Sequence, residues 1–417
     1  MKFSKLSQLF LVSAIGLAGA SLLTSCEIVT IDYLFVASSS GSGTASTGQI
    51  QTFDVDSESG AIRPGQPSVS LAGSNPVAMA VSSDYQYLYA ASAGTGSAGG
   101  AINSFSVGSN GVLKQVGSAT GSPAVVGTPV ALAVNPAGTF LYVISGPNGG
   151  GTLTVYALSS GSFGNPVAQI PLTLPGYPSD SIVSTGINVL ANGSAVYVTA
   201  YDLSAYNPGC TPISTCITST ANPGWVFGFT VGSSGGLTPV AGSPWKAGIK
   251  PTAIASDPTN RFVYVTDFAQ DQLIGFTVQS TDVLDFMVNG PFKTGDEPSA
   301  VAIDPRGLYI YVANSLDSTV SAYVISLATG TPSAALNTTG SANNPTDTEP
   351  VAILVDAALG RFVYTANHLG NSVSGFRLNA TTGTLTSTLT TPYATGDTPT
   401  ALASVPHGNH SVQSTAP

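Results

Sequence analysis

Asp304-Pro305-Arg306-Gly307-Leu308-Tyr309-Ile310-Tyr311-Val312-Ala313-Asn314 contains the pattern that decides the fold, because its last five residues recur along the chain. Seven windows share an aliphatic start, an aromatic or similar second residue and a small or polar end: Leu34–Ser38, Leu88–Ser92, Leu141–Ser145, Val196–Ala200, Val263–Asp267, Ile310–Asn314 and Val363–Asn367. Each window precedes a segment of alternating character, such as Ile102-Asn103-Ser104-Phe105. Alternation with a period of two is typical of strands with one buried face. Each unit therefore contains at least two neighbouring strands.

A third strand precedes most of these windows and begins at a proline. Its starts are Pro76, Pro129, Pro251, Pro298, Pro350 and Pro399, with Ser184 in the remaining unit. Turn residues such as Asp304-Pro305-Arg306-Gly307 follow it. A fourth, weaker strand is expected near Leu113 and Leu385. Successive starts lie 47 to 67 residues apart, which is the period of a propeller blade. The sequence predicts an all-β, seven-bladed β-propeller with four antiparallel strands per blade.

The two ends of the chain complement each other. The strand from Pro399 has no aromatic strand after it, and the aromatic strand at Leu34 has no proline-initiated strand before it. We expect the two to pair and close the ring, which protects the sheet edges. The predicted propeller spans residues 31–406 and a disordered tail spans residues 407–417. The longest unit contains an extended loop over residues 201–223.

The N-terminus has the features of an export signal. Lys2 and Lys5 precede an apolar stretch over residues 9–23 that is short for a membrane span. Leu23-Thr24-Ser25-Cys26 resembles a bacterial lipobox, which implies a signal peptide over residues 1–25, lipidation of Cys26 and a lipidated linker over residues 26–30. The alternative is an ordinary signal peptide followed by an incidental cysteine. Glu27 favours the outer membrane of the cell envelope. Lipid chains would anchor the protein to that membrane.

Two further cysteines, Cys210 and Cys216, lie in the long loop. In an exported protein a disulfide is the natural interpretation of such a pair. Metal binding is the alternative, although no histidine lies nearby in the sequence. We expect the disulfide to pin the loop.

Composition argues against a nucleic-acid partner. Only 8% of the residues are charged, and 11 Lys and Arg stand against 21 Asp and Glu, for a net charge of −10. The sequence has no basic stripe with interleaved aromatic residues, so phosphate backbones would be repelled. We expect a monomer without nucleic acid.

The proline start, the Asp-Pro-x-Gly turn and the Tyr-Val-small-Asn ending resemble the YVTN-type propeller repeat and the lactonase-like, 6-phosphogluconolactonase-like propeller family. The resemblance covers residues 31–406 and implies a seven-bladed propeller that hydrolyses lactones. Enzymatic members tend to carry histidine two positions after the proline of an inner strand. The corresponding residues here are Ala78, Ala131, Ala253, Ala300, Ala352, Ala401 and, in the atypical unit, Gly186. This departure argues against lactone hydrolysis.

A propeller binds ligands where its innermost strands begin. The residues just before those strands are Asn75, Thr128, Val183, Lys250, Glu297, Glu349 and Thr398, with Asp296 and Asp397 one position earlier. We predict a ligand site formed by Lys250, Asp296, Glu297, Glu349 and Asp397, which could orient a sugar or a peptide, or hold a cation. The alternative is a solvated acidic rim.

Other candidate residues are few. His368 follows a repeat window and is expected in an exposed loop, while Trp245 could stack on a sugar. The sequence has no phosphate-binding loop and no histidine-rich metal motif. We expect no cofactor and no bound metal.

Two functions fit these features. The first is a non-catalytic, lipid-anchored propeller that binds an envelope protein, a glycan or another small-molecule ligand at the channel mouth. The alternative is a lactone hydrolase of the 6-phosphogluconolactonase-like type. A phosphorylated substrate fits poorly, because an acidic mouth would repel it.

Overall fold

The computed structural model describes residues 29–40, 47–94, 100–120, 127–146, 151–174, 181–203, 206, 224–337 and 339–408. Within these ranges every regular element is a β-strand, and no helix there could cross a membrane. The predicted signal peptide, the lipidation site Cys26, the Cys210–Cys216 pair and most of the predicted tail lie outside the described residues.

The strands form seven sheets in which three strands recur in a fixed order from the channel outward. The inner strands are β5 (Pro76–Val81), β9 (Pro129–Val134), β13 (Ile182–Val189), β18 (Pro251–Ser256), β23 (Pro298–Ile303), β28 (Pro350–Val355) and β33 (Asp397–Pro406). The second strands are β1 (Thr30–Ser40), β6 (Tyr87–Ser92), β10 (Phe140–Ser145), β14 (Ala195–Asp202), β19 (Phe262–Asp267), β24 (Tyr309–Asn314) and β29 (Phe362–Asn367). The third strands are β2 (Thr47–Asp56), β7 (Ala101–Val107), β11 (Thr152–Ser159), β15 (Gly224–Val231), β20 (Gln272–Val278), β25 (Thr319–Ile325) and β30 (Ser372–Leu378).

The fourth, outermost position varies more. It is a single strand in two sheets, β8 (Leu113–Thr120) and β12 (Ser162–Pro171). In the other sheets two short segments share it: β3 (Ile62–Pro64) and β4 (Val69–Ser70), β16 (Leu237–Pro239) and β17 (Trp245–Lys246), β21 (Leu284–Phe286) and β22 (Phe292–Lys293), β26 (Pro332–Ala334) and β27 (Asn343–Pro345), β31 (Leu385–Ser387) and β32 (Tyr393–Ala394). The outer edge is therefore the least regular part of each blade, as its weak sequence pattern predicts.

The ring closes between the two ends of the chain. Blade 1 consists of β33 and β1–β4, and blades 2 to 7 are β5–β8, β9–β12, β13–β17, β18–β22, β23–β27 and β28–β32. In blade 1, β33 pairs antiparallel with β1, with Asp32 opposite Pro406 and Ser39 opposite Asp397. The inner strand β33 also contacts β5 of blade 2 and β28 of blade 7. The predicted seven-bladed propeller and its closure are confirmed.

Seven hydrophobic clusters fill the seven interfaces between neighbouring blades. The repeat tyrosines lie in these interfaces and also bond across them. The Tyr311 hydroxyl donates to the Gly383 carbonyl of the next blade at 2.9 Å, and the Tyr364 hydroxyl donates to the Gly60 carbonyl at 2.8 Å. Each of these tyrosine rings is thus buried while its hydroxyl forms a hydrogen bond. This requirement explains why the second strands so often carry tyrosine.

Candidate functional site

The channel mouth is the end of the central channel at which the inner strands begin, and seven residues border it. Lys250, Glu297 and Glu349 directly precede the inner strands of blades 5, 6 and 7, which are neighbours in the ring. The other four positions carry uncharged side chains: Asn75, Thr128, Val183 and Thr398. The charged residues of this ring therefore lie together on one side of the mouth.

The backbone carbonyl of each of these charged residues accepts a hydrogen bond from the residue that follows the second strand of the same blade. The backbone N–H of Phe268 donates to Lys250 at 3.0 Å, that of Ser315 donates to Glu297 at 2.9 Å, and that of His368 donates to Glu349 at 2.8 Å. The repeat thus brings a second residue to the mouth in each blade. Phe268 and His368 are half-buried there.

Lys250 lies among aromatic rings. Its ammonium nitrogen is 3.7 Å from the centre of the Phe268 ring and 5.3 Å from that of Tyr206. Tyr206 is 2% exposed and packs edge-on against Tyr201. Burial lowers the pKa of Lys250, and the negative charge of Glu297 partly opposes this shift. Ring faces attract a cation while they exclude water from it.

The Lys250 ammonium forms no ion pair with a described carboxylate. Across the described ranges, the only ion pair within 4.0 Å joins Arg306 to Asp304, at 2.7 Å. Glu297 is nevertheless near enough to influence the Lys250 amine electrostatically. The two groups therefore interact through their charges without direct contact within 4.0 Å.

Glu297 lies in a strongly acidic setting. Burial raises the pKa of its carboxyl, and the charges of Asp271, Asp296 and Glu349 raise it further, while Lys250 opposes them. A carboxylate with a raised pKa is a better proton acceptor than an ordinary glutamate. The residue also has a φ of 55°, in the left-handed region that costs free energy for a side chain other than glycine.

Glu349 shares this left-handed backbone, with a φ of 58°. Its Oε2 atom is buried and accepts no hydrogen bond from any described residue. Buried carboxylate oxygens are almost always hydrogen-bonded. The atom is therefore an unsatisfied acceptor just beneath the surface of the mouth.

The two aspartates of the predicted site are both exposed. Asp296 is exposed, and its backbone N–H donates to the Asp317 carboxylate at 2.9 Å. Burial, Asp317 and Asp271 raise the pKa of Asp296. Asp397 is exposed in blade 1, opposite Ser39. The structure thus places Lys250, Glu297 and Glu349 in three neighbouring blades, with Asp296 near Glu297 and the exposed Asp397 in blade 1, which adjoins blade 7.

Comparison with known proteins identifies the family. The family model described as "Lactonase, 7-bladed beta-propeller" matches residues 35–181 and 246–414. The chain belongs to this lactonase family. No curated protein sequence matches it as a relative.

Solved structures share the fold of this lactonase propeller. The periplasmic gluconolactonase of Pseudomonas aeruginosa superposes with a TM-score of 0.72 at 18% identity, covering 90% of this chain and 99% of the other. A provisionally assigned 6-phosphogluconolactonase from Bacteroides uniformis gives a TM-score of 0.69 at 18% identity, with the same coverage. At these identities the likeness concerns architecture alone.

The sequence pattern missed three residues of the mouth of this lactonase propeller. Phe268 and His368 each lie four residues after a repeat tyrosine, so the repeat itself contained the signal for them. His368 was expected in an exposed loop, whereas it is half-buried beside Glu349. Tyr206 comes from the long insertion, where no repeat pattern could place it.

Two other predictions concern stacking and metals. Trp245 is half-buried in β17 and packs edge-on against Tyr197, with ring centres 6.3 Å apart. It belongs to the core between blades 4 and 5 rather than to the mouth. No group of three or more His, Cys, Asp or Glu residues suited to a metal ion occurs in the part of the chain that the structure describes.

Proposed function

We propose that this lactonase propeller hydrolyses an uncharged sugar lactone at its mouth, with Glu297 as general base and Lys250 as the cation that stabilises the oxyanion. The observation that carries the proposal is the Lys250 ammonium, which forms no ion pair with a described residue and is held by aromatic rings beside a carboxyl of raised pKa. Membership of the lactonase family supports the reaction class. The fold neighbour from Pseudomonas aeruginosa is a periplasmic gluconolactonase, which supports a sugar lactone outside the cytoplasm.

The reaction needs one proton acceptor and one site of positive charge. Glu297 takes a proton from water while the water oxygen bonds to the ring carbonyl carbon. The carbonyl oxygen becomes negative and faces the Lys250 ammonium. The bond between that carbon and the ring oxygen then breaks, and Glu297 returns its proton to the ring oxygen. Lactone and water become a hydroxy acid, whose ionised form the acidic mouth repels.

The aromatic setting of Lys250 makes its charge effective. A cation that is shielded from water stabilises a nearby negative charge far more than a solvated one, and it requires little reorganisation during the reaction. Phe268 and Tyr206 provide this shielding. The lysine therefore contributes mainly when the oxyanion forms.

Substrate choice follows from Glu349 and from the net charge of the mouth. The Oε2 of Glu349 has no hydrogen-bond partner among the described residues, and a rotation that exposes it would let it accept a hydrogen bond from a sugar hydroxyl. A phosphate group would be repelled by Glu297, Glu349 and Asp296. We therefore expect unphosphorylated sugar lactones to be hydrolysed in preference to phosphorylated or plain alkyl lactones.

The test is an assay of the purified protein against a lactone panel, with spontaneous hydrolysis subtracted. Glu297→Gln should lower kcat/KM by about a hundredfold or more, while Asp397→Asn, at an exposed acid of blade 1 whose charge does not shift the pKa of Glu297, should leave it unchanged. Absence of turnover across the panel, together with specific retention of an envelope protein or glycan that Glu297→Gln abolishes, would instead support the non-catalytic binding function.

We also propose that the protein is exported and lipid-anchored through Cys26 in the outer membrane. The first described strand begins at Thr30, at the end of blade 1 opposite the mouth, because Ser39 and Asp397 lie at the mouth end. An anchor at Cys26 would therefore leave the mouth facing away from the membrane. Cys26→Ser should move the protein from the membrane fraction to the soluble envelope fraction, and unchanged fractionation would contradict the anchor.

A further inference from the structure

In every inner strand the residue after the starting proline, or after Ser184 in blade 4, is bulged out of the pairing with the second strand, as between Pro251 and Ala253 or Ser184 and Gly186. Four of these bulged residues carry a hydroxyl, and each donates to the carbonyl of the first inner-strand proline in the next blade at 2.7 Å. The pairs are Thr185 to Pro251, Thr252 to Pro298, Ser299 to Pro350 and Thr400 to Pro76. The bulge thus forms a bond between blades at the mouth.

These bonds follow the charge pattern of the mouth. Pro251, Pro298 and Pro350 directly follow Lys250, Glu297 and Glu349. In the other three blades the bulged residue is a valine: Val77, Val130 or Val351. In the blade that follows each of them, the residue before the inner strand is uncharged: Thr128, Val183 or Thr398. Every charged residue directly before an inner strand is therefore supported by a hydroxyl from the preceding blade.

We propose that Thr185, Thr252 and Ser299 are positioning residues that fix the side chains of Lys250, Glu297 and Glu349 for the reaction at the mouth. This inference rests on the proposed lactone hydrolysis, which those three side chains would perform. It assigns a functional role to residues that touch no substrate.

The backbone at Glu297 shows why such support is needed. Its left-handed conformation costs free energy, which bonds from the surroundings offset. On one side its N–H donates to the Asp271 carboxylate at 2.9 Å. On the other side Thr252 holds the carbonyl of Pro298. Loss of either bond would let the backbone relax, and the carboxylate, several bonds further out, would move by more than the backbone itself.

A buried hydroxyl orients Thr252. The Thr266 hydroxyl lies 2.9 Å from that of Thr252 and accepts the backbone N–H of Ala253 at 3.0 Å. Thr266 is fully buried. With Thr266 donating to it, Thr252 has its own proton free for Pro298, its shortest contact at 2.7 Å. These two hydrogen bonds explain why the rotatable hydroxyl of Thr252 keeps one orientation.

Valine substitution tests this proposal, since the fold already accepts valine at three of the seven equivalent positions. Thr252→Val should lower kcat/KM by about tenfold and shift the acid limb of the pH profile, which Glu297 controls. Thr400→Val removes the same bond beside the uncharged Asn75 and is the matched control, with an expected change below about twofold. Thr252→Ser restores the hydroxyl and should restore the rate.

A second readout does not require catalysis. Lysine amines carrying ¹³C-methyl groups can be titrated by NMR, with Lys250→Arg assigning the Lys250 signal. Thr252→Val should shift the Lys250 midpoint by about half a pH unit, because Glu297 lies in its field, and Thr400→Val should not. An inactive wild type with this selective shift would overturn the proposed hydrolysis and keep the positioning role. Equal effects of both variants in both readouts would overturn the positioning role.

Discussion

At the scale of single residues, surroundings rather than residue type distinguish the groups at the mouth. Lys250 is half-buried beside two rings, whereas Lys293, in the outer strand β22 of the same blade, is exposed. Burial lowers the pKa of Lys250 and raises that of Glu297. The two shifts move the pKa of an amine and the pKa of a nearby carboxyl toward neutral pH, as is common at functional sites.

The pH dependence of hydrolysis follows from these shifts. Glu297 must be ionised, so activity should rise through a pKa above the ordinary value of a glutamate. Lys250 must be protonated, so activity should fall through a pKa below the ordinary value of a lysine. The profile of kcat/KM against pH should therefore be bell-shaped.

Lys250→Arg tests the alkaline limb. Arginine stays protonated at every accessible pH, so the fall at high pH should disappear even if the rate is lower. Lys293→Arg, at an exposed position, should leave both limbs in place. An alkaline limb that persists in Lys250→Arg would show that another group controls it.

At the scale of elements, a contact between neighbouring blades determines which residue a turn requires. Gly383 lies in the turn between β30 and β31 with a φ of 73°, and its carbonyl accepts the Tyr311 hydroxyl. A Cβ at this position would lie 2.2 Å from the Tyr309 ring. The glycine is needed both for its backbone conformation and for the close approach of an aromatic ring from the neighbouring blade.

Alanine substitution can separate these two requirements. Gly138 has a φ of 66° and nothing within 4 Å of its would-be Cβ, so Gly138→Ala should cost only about 1 kcal/mol of stability. Gly383→Ala adds overpacking and should cost about 3 kcal/mol. Chemical denaturation of the two variants measures the difference, and equal losses would mean that the Tyr309 contact is easily relieved.

At the scale of the whole molecule, the seam is the interface of blade 7 with blade 1, the blade in which the two ends of the chain pair. Asp32 in β1 of blade 1 and Asp356 of blade 7 are both fully buried there. The Asp32 carboxylate accepts the backbone N–H of Ala358 at 3.1 Å, while Asp356 accepts those of Leu359 and Gly360. Burial raises the pKa of Asp32 strongly, and the charge of Asp356 raises it further.

This raised pKa makes the seam sensitive to pH. The unfolded chain releases the Asp32 proton near the ordinary aspartate value, whereas the folded protein keeps it to a higher pH. Between these two values the folded state binds more protons, so this contribution to stability falls as pH rises. Asp32→Asn should be more stable than the wild type above the folded pKa, by on the order of 1 kcal/mol or more.

Urea denaturation over a series of pH values measures this effect, with the exposed Asp397→Asn as control. The Asp32→Asn curve should lose part of the decline with rising pH, and the control should keep it. A variant less stable than the wild type at every pH would show that the seam needs the carboxyl for another reason.

The sequence by itself determined the number of blades, the four-strand order and the position of the seam. These features depend on local alternation and on the spacing of turns, which can be read without tertiary contacts. The repeat also predicted that Lys250, Glu297 and Glu349 would occupy equivalent positions before three consecutive inner strands. It could not show which of these side chains are exposed, because exposure depends on how the blades pack around a closed ring.

Only the tertiary structure decided the surroundings of those residues. Tyr206 reaches Lys250 from an insertion without a repeat pattern, and Phe268 and His368 join the mouth through backbone pairing. The pKa shifts depend on burial and on charges from other blades. The hydroxyl bonds, such as Thr252 to Pro298, connect residues that are neighbours only after two blades have packed together. Local patterns specify strands, whereas a site at a channel mouth requires side chains that the chain brings together only when the ring closes.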